Sequence, residues 1–398
     1  MDDPEDVRVF RPKRAAPADA VRPTRAEINL EALRHNLRAV QSITRAKGEA
    51  RPAINAVLKA DAYGHGAPAV ARTLERAGVD GLCVALLEEG IELREAGIQV
   101  PITVMGGYYG PHHRGLEDAL VHRLTPVLYD CAQIERLEQI VKSDASLAGG
   151  TRAAFHWKVD TGMSRLGSSE ADVDRALDLA AGSSHVELAG LMSHFATADD
   201  PDLEPALAQL RRFRAVSTRL SARGVTPSVV HMANSAAAVR LVGARFDAVR
   251  IGLMLYGIEP CALPEGVSLK PAMRVRSEIV ALRQLHAGDR VGYGHTWESD
   301  GERVIATVPM GYADGLSRSL SNKGHMVLRG VRVPIVGIVS MDLTTVDVTS
   351  VPNVALGDEV VVLGGGIRAE EIATHMGSIP WEVITSISRR VPRFYREP

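Results

Sequence analysis

The chain has 398 residues, 45% hydrophobic and 24% charged. These proportions exclude wholesale disorder and a fibrous architecture and leave room for about two or three domains. Lys plus Arg (46) and Asp plus Glu (48) nearly cancel at a net charge of −2, so nothing global draws the chain to nucleic acid or an anionic membrane. Its ligand should be small and its site local. The three cysteines, Cys83, Cys131 and Cys261, are scattered without metal-ligand spacing. A disulfide framework or structural zinc is therefore not expected, and a reducing, cytoplasmic compartment is.

Residues 1–23 are rich in Pro, Ala and charge and contain no apolar signal segment. They read as a mobile leader, with an edge strand near Val7 to Phe10 as the alternative. From Thr24 onward short apolar runs alternate with amphipathic segments. Asn29 suits the cap of a first helix with Leu33, Leu37 and Val40 on one face. The predicted strands are Ala53–Lys59, Gly81–Leu86, Pro101–Met105, Thr125–Tyr129, Ala153–Val159, Val186–Ser193, Ser228–Ala233 and Ala248–Gly252. Helical patterns lie between them, among them Ala67–Ala77, Leu87–Ala96, Ala171–Ala181 and Leu203–Arg223. Each strand run is apolar on both faces, as in a covered parallel sheet. Eight such units over about 230 residues have the size of an α/β (β/α)8 TIM barrel, over 24–270. A doubly wound sheet is the runner-up, but AVLKADAYGHG follows the first strand where a Gly-rich fingerprint would be expected.

After about Pro271 the pattern changes to period two, broken by Gly, Asp and Asn turns. That predicts a C-terminal, predominantly antiparallel β domain over 271–398, with the boundary within Glu259–Pro271. Short helices are expected near Glu370–Met376 and Pro380–Ile387. GDEVVVLGGG reads as a strand and turn, since no helix opened by Lys-Ser or Lys-Thr follows it.

Barrel chemistry sits at the C-terminal ends of the strands. Lys59 closes the first strand. It either reaches to solvent or serves Schiff-base chemistry with a lowered pKa. Tyr63 and His65 follow at once. The fifth strand leads into Lys158, Asp160 and Arg165. The sixth ends at His194, which alone reads as structural and in this company as part of a site. The seventh leads to His231, Asn234 and Ser235. The eighth contains Arg250, with Gly252 and Leu253 after it. Ser235 and the amides near Gly252 suit a phosphate monoester. Pyridoxal 5′-phosphate fits this set: an aldehyde for Lys59, a phosphate for the cup and a ring nitrogen for Arg250. His112 and His113 read as loop residues without a role, and no metal site is expected.

AVLKADAYGHG, KVDTGMSRLG, SHFATAD, ANSAA, VRIGLMLYG, VGYG, GYADG and VSMD occur in this order, and together they resemble the alanine racemase family. The resemblance covers about Thr24 to Pro398. It implies a pyridoxal-phosphate isomerase that interconverts L- and D-alanine and supplies D-alanine for peptidoglycan. It implies a homodimer with shared sites. By the same resemblance Lys59 holds the cofactor and works as acid and base on one substrate face, with Tyr293 on the other. Tyr63, Ser235, Gly252 and Leu253 match the phosphate cup, with Asn234 beside it, and Arg250 faces the pyridine nitrogen. Arg165 meets the cofactor's phenolic oxygen and the substrate carboxylate. Lys158 matches a lysine often carbamylated, and His194 packs beside the cofactor. Met341 and Tyr312 face the substrate from the second domain. The match breaks at Arg389, where the family usually has a phosphate-binding tyrosine, and at Ser340, where cysteine is common. Arg389 either replaces the tyrosine at the phosphate or leaves a wider side-chain pocket, toward serine or larger residues. A decarboxylase of basic amino acids on the same plan is the remote alternative.

Overall fold

A computed structural model describes residues 21–44, 51–106, 108 and 115–397. Apart from residues 21–23, the expected leader lies outside them, as do His112 and His113. The described chain divides into two compact units. Of the described residues, one comprises those within 29–272 with 396–397, and the other 21–28 with 273–395.

The first unit is the barrel. Its strands are β2 (Ala53–Val57), β3 (Gly81–Val84), β4 (Ile102–Val104), β5 (Thr125–Leu128), β6 (Ala153–Lys158), β7 (Val186–Met192), β8 (Val229–His231) and β9 (Ala248–Ile251). They run parallel, and β9 pairs back onto β2 to close the ring. All eight expected strands are present, each ending a residue or two early. The strands β3, β4 and β9 are buried at every position, as sheet covered on both faces requires. The helices at Ala67–Arg76, Leu87–Glu95, Asp172–Gly182 and Glu204–Ala222 match their apolar periodicity. Asn29 caps the helix Leu30–Thr44, accepting from Ala32 N at 3.0 Å, and Leu33, Leu37 and Val40 are buried.

One boundary differs from expectation. The barrel was expected to begin at Thr24, yet β1 (Arg25–Asn29) pairs antiparallel with β10 (Met273–Glu278), Ile28 opposite Met273. Ala26 and Ile28 are buried on one side of this strand. Glu27, also buried, meets Arg276 Nε at 2.6 Å and Arg274 at 3.3 Å. Five alternating residues directly before a helix leave little local trace of a strand. Their partner lies nearly 250 residues away.

The second unit is antiparallel β, as expected. With β15 (His325–Leu328), β16 (Val331–Pro334), β18 (Glu359–Leu363) and β19 (Arg393–Arg396), the six-stranded order is β16-β15-β18-β10-β1-β19. A second sheet joins β11 (Ala281–Leu285), β14 (Arg303–Val308) and β17 (Thr344–Asp347). A two-stranded ribbon, β12 (Arg290–Val291) with β13 (Trp297–Glu298), carries Tyr293 in its turn. Helices occupy Ala369–Met376 and Pro380–Ser386. Among the described residues no helix is long and apolar enough to cross a membrane.

Candidate active site

Lys59 lies two residues past β2, at the start of an unusual turn. Ala60, Asp61, Ala62 and Tyr63 all have φ between 53° and 55°. Four consecutive non-glycine residues in the left-handed region cost roughly 1–2 kcal/mol each. Side chains hold the turn. Asp61 Oδ1 accepts from Ala67 N at 2.7 Å, and Glu89 Oε1 accepts from Ala60 N at 2.6 Å. The buried His65 donates from Nδ1 to the carbonyls of Ala62 and Tyr63, each at 3.0 Å. Strain so thoroughly secured makes this a candidate functional segment.

Among the described residues the Lys59 ammonium has no hydrogen bond or ion pair. Its Nζ lies 5.9 Å from the Tyr63 ring centroid. Burial pushes its pKa below the usual lysine value, the Arg165 guanidinium adds to this, and the Glu89 carboxylate opposes it. A larger neutral fraction makes Lys59 a better nucleophile and base.

The residues expected at the phosphate come from the loops of separate strands. Gly252 N donates to Ser235 Oγ at 3.1 Å, leaving the Ser235 hydroxyl hydrogen to donate. A Cβ on Gly252 would stand 2.8 Å from Tyr63 Oη, so glycine is required for this close approach. Asn234 caps the helix Ser235–Arg240 by accepting from Ala237 N at 3.0 Å, which fixes the start of the helix that carries Ser235. Leu253 is buried at the start of the next turn. The Ser235 and Tyr63 hydroxyls converge beside the Gly252 amide, a donor set that suits a phosphate monoester.

Arg250 is buried inside the barrel. Nη1 donates to His231 Nδ1 at 2.8 Å and His231 O at 3.0 Å. Nη2 donates to Ser193 O at 2.7 Å, His194 Nδ1 at 3.1 Å and Met232 O at 3.1 Å. Among the described residues Nε has no partner and no carboxylate touches the guanidinium. Burial lowers its pKa to about 10. Because Arg250 donates to Nδ1 of both rings, His194 and His231 carry their protons on Nε2. Burial and Arg250 hold both well below the usual histidine pKa. His231 Nε2 then donates to His156 Nδ1 at 3.0 Å. His156 fits only because Gly190 faces it; a Cβ there would lie 2.3 Å from the ring.

Lys158 is buried without an ion-pair or hydrogen-bond partner among the described residues. Burial, Arg250 and Arg165 bring its pKa down to about 8, against Asp160. Arg165 is exposed, in a loop that Asp160 bends by accepting from Gly162 N and Met163 N at 2.8 and 2.9 Å. The barrel unit thus carries Lys59, Tyr63, Lys158, Arg165, His194, Asn234, Ser235, Arg250, Gly252 and Leu253.

Tyr293, Tyr312, Met341 and Arg389 belong to the other unit, where all four are exposed. Tyr293 sits between Gly292 (φ 70°) and Gly294 (φ 69°), which present its ring outward. Sequence reasoning missed Glu89 and His156. The signal for His156 was present: two residues before Lys158 on one strand, it shares that lysine's face.

Comparisons with known proteins give the family. Residues 28–260 match the family described as alanine racemase, N-terminal domain, and 272–395 match alanine racemase, C-terminal domain. The chain belongs to the alanine racemase family. An alanine racemase of Sorangium cellulosum is 57% identical, across 95% of this chain and 100% of that one. One of Geobacter sulfurreducens is 41% identical, across 95% and 98%. The solved alanine racemase of Clostridium difficile 630 superposes with a TM-score of 0.85 at 36% identity, covering 94% of this chain and 96% of that chain. The Bartonella henselae alanine racemase, with covalently bound pyridoxal phosphate, gives 0.82 at 29%, covering 94% and 99%. The family's TIM barrel and antiparallel β domain are the two units described above.

Proposed function

We propose that the chain interconverts L- and D-alanine with pyridoxal 5′-phosphate, using Lys59 and Tyr293 as acid and base on opposite substrate faces. The cofactor, when bound, supplies an electron sink for the substrate α-carbon. Lys59 would hold its aldehyde carbon, Tyr63, Ser235, Gly252 and Leu253 its phosphate, and Arg250 Nε its ring nitrogen. Arg165 would take the substrate carboxylate, His194 would pack beside the ring, and Tyr312 and Met341 would border the substrate's approach.

The observation that carries this reading is Arg250. Its Nη donors are consumed by His231, His194 and carbonyls, and among the described residues no carboxylate is beside it. A carboxylate at the ring nitrogen would stabilise a long-lived carbanion. An arginine that stays protonated does not, which favours rapid reprotonation. Inversion needs removal on one face and delivery on the other, so two groups serve where one base would return the proton. The same arginine argues against a decarboxylase.

A homodimer is part of the proposal. Tyr293 is 73% exposed and Met341 52%, more than apolar groups of a finished site would be. A second copy would cover them and share its residues with the first. The unpaired Cys83, Cys131 and Cys261 support a cytoplasmic location, with D-alanine passed to cell-wall assembly.

Chiral chromatography of L-alanine incubated with the pyridoxal-phosphate-loaded protein tests the reading. D-alanine should appear, and Lys59→Ala should abolish it. Mixing inactive Lys59→Ala and Tyr293→Ala chains should restore activity through hybrid dimers. Full activity in Lys59→Ala alone would end the assignment. The exposed Arg389 has no partner among the described residues, which favours a role at the phosphate. Arg389→Ala should then weaken cofactor binding about tenfold. Unchanged affinity with a serine-to-alanine preference would instead favour the wider pocket.

A further inference from the structure

We propose that Arg22 is a positioning residue. Through the buried carboxylate of Asp314 it sets the arrangement of three loops that carry Tyr312, Met341 and Arg389. The segment before the first strand thereby tunes the opening offered to the amino-acid substrate. This rests on the functional reading above.

Arg22 Nη1 donates to both carboxylate oxygens of Asp314 at 2.8 Å, across 292 residues of sequence. Its Nη2 donates to Arg390 O at 3.1 Å. The Asp314 side chain is fully buried and also accepts from Gly311 N at 3.1 Å. Arg390 continues the chain: its Nε lies 3.6 Å from Asp314, and its Nη2 donates to Asp342 at 2.6 Å. Asp314 stands two residues after Tyr312, Asp342 one after Met341, and Arg390 one after Arg389. Every link in Arg22–Asp314–Arg390–Asp342 is thus a near neighbour of a residue assigned to substrate or cofactor, except Arg22, which anchors the series.

The loops themselves leave no slack. Tyr312 N donates to Ser340 O, Ala313 N to Met341 O and Ser388 N to Asp314 O, each at 3.0 Å. A Cβ on Gly311 would lie 2.3 Å from Ser340 O, and one on Gly315 2.4 Å from Ser386 O. Backbones packed this closely move together, so a shift at Asp314 reaches all three loops. A buried carboxylate is costly without a cation, and Arg22 is its only cationic partner at hydrogen-bond distance among the described residues. The segment carrying Arg22 is itself tied down. Thr24 Oγ1 donates to Pro309 O at 2.6 Å, and Ala26 N to Pro392 O at 3.0 Å.

The test measures kcat and KM for both alanine enantiomers in the full-length holoenzyme. Arg22→Ala should raise KM about tenfold and change kcat less than about twofold, since misplacement here affects admission more than chemistry. Arg22→Lys should recover part of the loss. Arg390→Ala, which leaves the two-oxygen pair intact, should raise KM less. A lower melting temperature in Arg22→Ala with unchanged KM would show a merely structural role and overturn the proposal. If Arg22→Ala does not fold, unchanged KM in both Arg22→Lys and Arg390→Ala overturns it. Tyr312→Phe with Met341→Ala tests the underlying reading separately. Unchanged KM there would show that these loops do not face substrate, whatever Arg22 does.

Discussion

Arg250 donates to His231 Nδ1 at 2.8 Å, and His231 Nε2 lies 3.0 Å from His156 Nδ1. A guanidinium at one end dictates both tautomers along the line, so both imidazoles work in the neutral form. Burial, aided by Arg250, lowers His156 from 6.5 to about 4. Between these values the unfolded chain binds more protons than the folded one, so acid favours unfolding. Stability from this group is full above about pH 6.5 and is lost as pH falls toward 4, on the order of 3 kcal/mol in all. Urea unfolding at pH 7 and pH 4.5 should show this loss in the wild type and a smaller one in His156→Gln. Equal losses would contradict the tautomer chain.

Lys59 depends on charge at longer range. The Arg165 guanidinium helps keep its amine neutral, and only a neutral amine would hold a cofactor aldehyde. Removing that charge raises the Lys59 pKa. The pH of half-maximal cofactor uptake by the apoprotein should therefore move upward in Arg165→Gln. Because Arg165 is exposed, high salt should move the wild type in the same direction. A downward shift would reverse the assignment.

Lys158 is brought to about 8 by burial and two arginines, with no carboxylate paired to it among the described residues. Its neutral amine is available near that pH to combine with carbon dioxide. The resulting carbamate would place a negative charge among the cations of Arg250 and Arg165. Carbon-13 NMR in labelled bicarbonate should show a carbamate resonance that is absent in Lys158→Met and fades as pH drops below about 8. No such resonance in the wild type would refute the modification.

Gly252 leaves 2.8 Å between its missing Cβ and Tyr63 Oη, and the Tyr63 ring packs 4.9 Å from Tyr256. The phenol has nowhere to retreat. Gly252→Ala should weaken pyridoxal-phosphate binding by about tenfold, or roughly 1.4 kcal/mol. In a Tyr63→Phe background the same substitution should cost less, because the clashing oxygen is gone. Equal penalties in both backgrounds would show that the two residues do not interact.

Much was legible before any coordinates. Eight apolar runs with helical spacers announced the barrel because parallel strands covered on both faces admit few other patterns. The period-two texture after Pro271 announced the β domain for the same kind of reason. Lys59, Arg165, Ser235 and Arg250 stood out because charged or hydroxyl groups at strand ends need a purpose. The segment at 25–29 misled, since a strand's partner leaves no trace in its own five residues. His156 was passed over as one histidine among apolar neighbours, although its spacing from Lys158 shared a face.

The sequence by itself determined the two units, the loops that carry the chemistry and the family, because local periodicity and short motifs are properties of neighbouring residues. Only the tertiary structure decided how the groups act on one another. That Arg250 spends its Nη donors on two histidines, that Gly252 must yield space to Tyr63, and that Arg22 neutralises Asp314 are all contacts between distant segments. Their consequences, tautomer, steric fit and charge compensation, arise from distance and burial, which exist only once the chain has folded.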